Sequence, residues 1–515
     1  MKIETEKDSV CVNKIIRQKT EMVMIEGDAI VPDIKPDIIS TINTSGNICI
    51  YKKELLDGKV RIDGSIDVYI MYLSDTEEGN IRGLNTSLDF TQILDIEDCK
   101  TDMSIDLSAE LKIIDCKVLN GRKVSIKASV EVSTQLHSNE KVNIIKQIIG
   151  DEHIQKLNNN ISMNSLVGEG NSKAYAKDTL SIDNIDNLAE ILKVDLQICN
   201  RDNKISYNKV LAKADVQVKI IYLTEDGRIN MIESMIPVMG FVDIQDVSDD
   251  DMCNMKHIIK NLIIKPNEKE EHTIYVEVEI ELICNVYRSR QINIIQDLYS
   301  PECDISFTQK SISTMVGMEN IRDNHSIKER LSIPEIAGNM VYDVDVKTNI
   351  TNTKISNNRI IYEGEVKLNF IFASNTSSGI DTRSIDLPLN FEIGTNNINS
   401  SSNINTDIEI RNKDFIVNEN GEIDTRIDLG FDANISQMVD MNIIDEIEVE
   451  ENRNMGKYSV IIYFIKSGDT MWSIAKRFKS TITDICDMNS IENPDKLSIG
   501  QQIFIPRYSS RKVIA

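Results

Sequence analysis

The chain has 515 residues and a formal net charge of −25. Its length suits three or four domains, and its acid excess, with no sustained basic patch, excludes nucleic acid as a partner, because phosphate binding takes clustered Lys and Arg. Nine cysteines, scattered singly from Cys11 to Cys486, and five dispersed histidines read as reduced core thiols, with no disulfide framework, no metal site and no cofactor.

The first residues, MKIETEKDSVCVNKIIRQKTEM, carry no apolar h-region, which predicts no export signal. No run approaches the roughly 18 apolar residues of a membrane span, so no direct membrane insertion is expected and the predicted location is cytoplasmic.

A repeat of 150 residues follows. Val60, Ile62, Gly64, Ile66, Val68, Ile70 and Tyr72 alternate with mostly polar residues. Val210 to Tyr222 and Ile360 to Phe372 do the same. Period-two alternation predicts a strand with one buried face. Its length predicts a bulge near Gly64, Ala214 and Gly364. A second strand recurs at Val124–Val132, Ile274–Leu282 and Ile423–Phe431, and Asn120-Gly121 and Asn420-Gly421 predict type I′ hairpins before two of them. Leu166-Val167-Gly168 resembles Met315-Val316-Gly317, with no clear counterpart in the first copy. The boundaries read as 8–150, 158–300 and 308–450. Each unit is predicted to be an antiparallel β domain, a sandwich or open barrel. Glu277, Glu279 and Glu281 read as a solvated sheet face, and Asp249-Asp250-Asp251 as a solvated acidic turn. Thr395–Thr406 reads as a polar loop, and Glu446–Lys457 as a charged, flexible tether.

The C-terminal segment, 458–508, predicts a small βααβ unit. A strand at Val460–Phe464 leads into Lys466-Ser467-Gly468-Asp469-Thr470. Met471, Ile474, Ala475 and Phe478 then fall at helical spacing, with Asp469 or Thr470 able to cap the first turn. A second helix carries Ile482, Ile485 and Cys486 and ends near Asn489. Pro494, Leu497 and Gly500 turn the chain into a strand, Gln502–Ile505. The predicted core is Ile474, Ala475, Phe478, Ile485, Leu497 and Ile503. Trp472, the only tryptophan, lies about 100° around the helix from the core stripe. It either packs on the flank or stands as an exposed aromatic anchor of the kind enriched at binding hot spots.

The Gly-Asp-Thr-x-Trp-x-Ile-Ala run, the Asn before Ile-x-Asn-Pro, the Leu-x-x-Gly-Gln and the Ile-Pro end resemble the LysM family in order, with Met471 in place of the more usual Leu. LysM domains are binding modules for N-acetylglucosamine polymers such as peptidoglycan, without catalytic residues. The resemblance implies a groove formed by Gly468, Asp469, Thr470, Met471 and Trp472 on one side and Asn489, Ser490 and Ile491 on the other. Three β repeats followed by LysM resemble the SPOCS-domain proteins of spore-forming clostridia, and abundant Ile, Asn and Lys fit a low-GC bacterial genome. That resemblance implies a mother-cell scaffold around the forespore, whose LysM end binds the spore-coat morphogenetic ATPase of the basement layer and whose repeats are free for other coat proteins. The alternative is a peptidoglycan-binding wall or cortex protein. Phosphate-loop, nucleophile-elbow and His-Glu-x-x-His patterns are all missing from the sequence, so no enzyme is expected.

Overall fold

The computed structural model describes residues 4–507 apart from 77–80, 150–152, 183–186, 268–269, 271, 375–378, 397, 400–401 and 451–458. The first copy holds β1 (Glu4–Ile30), β2 (Ile38–Leu56), β3 (Lys59–Ser74), β4 (Ile81–Asp95), β5 (Ser104–Asn120) and β6 (Lys123–Ile149). The second holds β7 (Gln155–Ser181), β8 (Leu188–Ser206), β9 (Lys209–Thr224), β10 (Ile229–Asp243), β11 (Met252–Pro266) and β12 (Thr273–Tyr299). The third holds β13 (Asp304–Ser332), β14 (Val341–Ser356), β15 (Arg359–Ala373), β16 (Ile380–Gly394), β17 (Ser402–Val417) and β18 (Glu422–Glu450). In each copy two three-stranded antiparallel sheets, such as β2–β3–β4 and β1–β6–β5, enclose one apolar core. Each copy is therefore a sandwich. Its inner layer is the alternating set read from the sequence: Val60, Ile62, Ile66 and Ile70 are fully buried, as are Val210, Val216 and Ile220, and Ile360, Val366 and Leu368.

The bulge lies where the alternation predicts it, but the extra residue is on the neighbouring strand. Register shifts occur at Ile50/Lys52 opposite Gly64, at Cys199/Asp202 opposite Ala214, and at Ile350/Asn352 opposite Gly364. The carbonyl oxygens of Cys49 and Asn349 lie so close to Gly64 and Gly364 that a side chain there would collide with them. The lead-in motif is a second bulge, at Val167 and Val316, and the first copy has it too, at Ile16, with Arg17 where the others carry glycine.

Several expectations are corrected. Asn120 and Gly121 are not left-handed, and at Asn420-Gly421 only Gly421 is, with φ +80°, so neither hairpin is type I′. The pair of left-handed residues that such a turn needs is Asn357-Asn358, between β14 and β15. Ser402–Thr406 opens β17, with Ile404 packed on the third core. Glu446–Glu450 ends β18, because Ile447 is buried between the ribbons; the rest of the predicted tether, 451–457, lies outside the described residues. Asp251 is no solvated turn residue: it is 8% exposed and takes two hydrogen bonds from Arg288, both at 2.7 Å. Burial would raise its pKa, yet Arg288 and the Ser248 N–H hold it below the ordinary carboxylate value. Glu277, Glu279 and Glu281 are half-buried and paired with Lys177, Lys173 and Lys260.

The copies close on one another. β4 meets β8, β10 meets β14 and β16 meets β2, a cyclic order. Met71, Ile221 and Ile371, each 150 positions from the last, share one cluster. Beyond the sandwiches β1–β6, β7–β12 and β13–β18 continue as two-stranded ribbons. Ile144, Ile294 and Ile443 meet in one ribbon cluster, and Ile145, Ile295 and Ile444 in another. The repeat period thus encodes a pseudo-threefold core as well as a strand.

One contact between the second and third copies is ionic. Lys193 is fully buried and reaches Asp343 at 2.6 Å, Asp195 at 2.7 Å and Asp345 at 2.7 Å, while Lys219 also pairs with Asp343. Burial opposes the Lys193 charge, but Asp195, Asp345 and Asp343 together raise its pKa well above the ordinary value. The three carboxylates lie within 4.8 Å of one another, and the Lys193 ammonium sits where a cation would.

Candidate functional site

The C-terminal module is β19 (Ser459–Phe464), α1 (Met471–Phe478), α2 (Ile482–Asn489) and β20 (Gln502–Arg507), the βααβ order read from the sequence. β19 and β20 pair antiparallel. Ile474, Ala475, Ile485 and Ile503 are fully buried, and Phe478 and Leu497 pack partly buried against them.

Thr470, rather than Asp469, caps α1. Its hydroxyl accepts the Ser473 N–H at 3.1 Å, and Ser473 Oγ accepts the Thr470 N–H at 3.0 Å, a reciprocal capping box. Asp469 instead closes the loop before the helix. Its Oδ2 accepts the Tyr463 hydroxyl at 2.7 Å and the Lys466 N–H at 2.8 Å, and these two bonds lower its pKa. Gly468 has φ +86°, a conformation that favours glycine.

The remaining predicted groove residues divide between structural and free roles. Met471 is 3% exposed and belongs to the core. The Asn489 side chain ties α2 to β20, donating to the Phe504 carbonyl and accepting the Phe504 N–H, both at 2.7 Å. Ser490 is the left-handed residue that ends α2, and Ile491 packs partly on the core. Gly468, Thr470 and Ser490 stay exposed.

Trp472 packs on a flank, and that flank belongs to the second β copy. Its Nε1–H donates to Asp297 at 2.8 Å, and its ring meets Tyr299 edge-on at 4.9 Å. Lys476 reaches the same Asp297 at 2.6 Å, and Lys479 pairs with Asp304. The Tyr299 hydroxyl donates to the Ser480 carbonyl at 2.8 Å, and burial raises its pKa. Tyr299 is part of the module's own core cluster. Sequence reasoning did not single out Asp297 and Tyr299. A signal was present: the ribbon position of Tyr299 holds Ile149 in the first copy and Glu448 in the third, and that of Asp297 holds Gln147 and Glu446.

Among the described residues, a second surface is apolar and uncovered. Val460, Ile462 and Phe464 alternate outward along β19 and are 54–57% exposed. Phe504, directly opposite Ile462, is 40% exposed. This face lies opposite the layer that packs on the helices.

Residues 463–506 match the LysM domain, and residues 37–135, 187–267 and 339–418 match the family described as SipL, SPOCS domain. These are binding modules without a catalytic centre. The SPOCS matches take in about half of the chain, and the chain belongs to that family: it is a sporulation-associated, LysM-containing protein. Its LysM end is similar to part of the cortical fragment-lytic enzyme of Bacillus subtilis (strain 168), 49% identical over 45 residues, which is 9% of this chain and 10% of that protein. It is also similar to the secreted LysM effector ECP6 of Passalora fulva, 42% identical over 55 residues, 11% of this chain and 24% of that protein. The chain thus spans less than a quarter of the length of these relatives. Among the described residues no helix is long and apolar enough to cross a membrane.

Proposed function

We propose that this chain is a non-enzymatic scaffold of spore assembly, acting in the mother cell at the forespore surface. Its LysM end holds the coat basement-layer morphogenetic ATPase, and its β repeats hold that end at a fixed place on a rigid body. The observation that carries the reading is the uncovered Val460, Ile462, Phe464 and Phe504 face. A contiguous apolar patch suits a protein partner. The aromatic ring that a sugar would stack on, Trp472, is engaged by Asp297 and Tyr299. The exposed groove positions Gly468, Thr470 and Ser490 are included in the proposed contact.

The second reading is peptidoglycan or cortex binding. It is favoured by the similarity to the LysM segment of a cortical fragment-lytic enzyme. Location separates the two. A fluorescent fusion of the full chain is expected to ring the forespore within the mother cell. A signal lining the wall of growing cells would sink the scaffold reading.

A further inference from the structure

The two edges of the LysM sheet are unlike. On β20 the Asn489 side chain closes the edge: it donates to the Phe504 carbonyl and accepts the Phe504 N–H, both at 2.7 Å. Those two groups therefore point away from β19, which makes Ile462 and Phe504 a pair with no mutual hydrogen bonds. Pro506, opposite Val460 and without an N–H, fits the same alternation. It follows that Val460, Ile462 and Phe464 direct their backbone N–H and C=O groups outward along the free edge of β19. Among the described residues none of these groups has a backbone partner, and no strand but β20 pairs with β19.

Edge strands elsewhere are guarded. Charge or proline within an edge keeps it from pairing with other chains. Pro237 stands in β10 and Pro388 in β16, with Lys112 in β5, Lys260 in β11 and Lys413 in β17. β20 carries Pro506 and Arg507 as well as its Asn489 cover. β19 reads Ser-Val-Ile-Ile-Tyr-Phe, and among the described residues it is the one edge strand with no charge and no proline. The residues whose backbone is open are also those whose side chains are exposed, at 54%, 57% and 57% for Val460, Ile462 and Phe464.

We propose that the free edge of β19 is a strand-addition site, and that the protein partner of the LysM end enters it as one extended segment with apolar side chains at alternate positions. This rests on the proposed scaffold reading and gives the form of that contact. The incoming backbone pairs with Val460, Ile462 and Phe464, and those main-chain bonds supply the affinity. Residues directly opposite these three share their face, so the segment's apolar side chains extend the patch already formed with Phe504. A helix laid across the patch would cover the side chains but leave the N–H and C=O groups of the edge unmatched. A second copy of this chain also has a β19 to offer, but each chain carries −25, and like charge opposes bringing two together.

The test measures binding of the purified coat morphogenetic ATPase to the intact chain, native and with Ile462→Ala or Ile462→Pro. Alanine removes the side chain and keeps the backbone donor. Proline removes the donor, which faces the free edge and takes no part in pairing with β20, so the strand tolerates it. The LysM unfolding transition and the Trp472 emission check that both variants keep the fold. If Ile462→Pro loses it, Val460→Pro, opposite Pro506, is read against Val460→Ala instead. Weaker binding is expected in the alanine variant, and binding at least about tenfold weaker still in the proline variant. Equal loss in the two overturns strand addition while leaving the apolar face as the contact. No loss in either, or no binding by the native chain, overturns the inference together with the reading of this face as the partner site. Self-association of the native chain that the proline variant abolishes would also overturn it, by making a second copy the occupant.

Discussion

The second β copy and its two neighbours have the same strands and the same inner layer, yet they differ in what they present outside it. Val60, Val210 and Ile360 are equally buried, and Met71, Ile221 and Ile371 meet in one cluster. Against that shared frame the second copy alone carries Asp297 and Tyr299 under the LysM end and Lys193 in the ionic contact. Periodic positions are set by packing. Departures from the period mark positions that packing leaves open to other uses.

The largest effect should come from the ionic contact. The first-copy counterpart of Lys193 is Asn43 and the third-copy counterpart is Asp343, so the contact exists once. Lys193→Met leaves Asp343, which is fully buried, without one of its two lysines. Breaking a buried pair from one side costs about 3–5 kcal/mol. Denaturant unfolding should show this loss in the β repeats with the LysM transition unchanged. Next is Ile474→Ala, which opens a cavity in a small core at a cost of about 2–5 kcal/mol. That loss should be confined to the LysM transition and leave the β repeats intact.

A milder change isolates the dock. Asp297→Gln with Tyr299→Ile installs the first copy's ribbon residues, Gln147 and Ile149. It removes an edge-on aromatic pair of about 0.5–1.5 kcal/mol and a charged acceptor. Trp472 is the only tryptophan, so its emission should shift to the red as it becomes exposed. An unshifted spectrum would separate Trp472 from the second copy.

A further effect is a pH slope. Burial, then the Arg201 charge, push the His257 pKa down to about 4, and among the described residues neither ring nitrogen has a hydrogen-bond partner. Below the ordinary value near 6.5 the unfolded chain takes up a proton that the folded chain refuses. Stability is therefore lost as pH falls from about 6.5 toward 4. Asp195 acts in the opposite sense, because burial and Asp345 raise its pKa to about 6. The diagnostic quantity is thus the difference between the native chain and His257→Phe. The variant should lose less stability over that interval, and parallel curves would contradict the assignment.

Much of the fold was legible in the sequence because alternation is local. Thirteen-residue runs such as Val60–Tyr72 declare their buried face directly. The ribbons were less legible: past Val132 the apolar alternation breaks at Ser133–Gln135, still inside the sandwich, and only beyond His137, where pairing with β5 ends, does β6 leave it and pack against other copies. The LysM end was legible by resemblance, and its caps at Thr470 and its core at Ile474 and Ile485 follow from short-range spacing. Trp472 was not, because its partners are about 175 residues away in the chain. No local pattern reports a contact of that range; only the mismatch of Tyr299 with Ile149 and Glu448 did.

The measurement that bears most directly on the scaffold reading uses the intact chain as bait in a lysate of sporulating cells, with purified peptidoglycan in a parallel pelleting assay. The account predicts capture of the coat morphogenetic ATPase, loss of that capture in Ile462→Ser with Phe504→Ser, and no pelleting on peptidoglycan. Pelleting on peptidoglycan with no ATPase captured would contradict it and make the chain a glycan-binding protein.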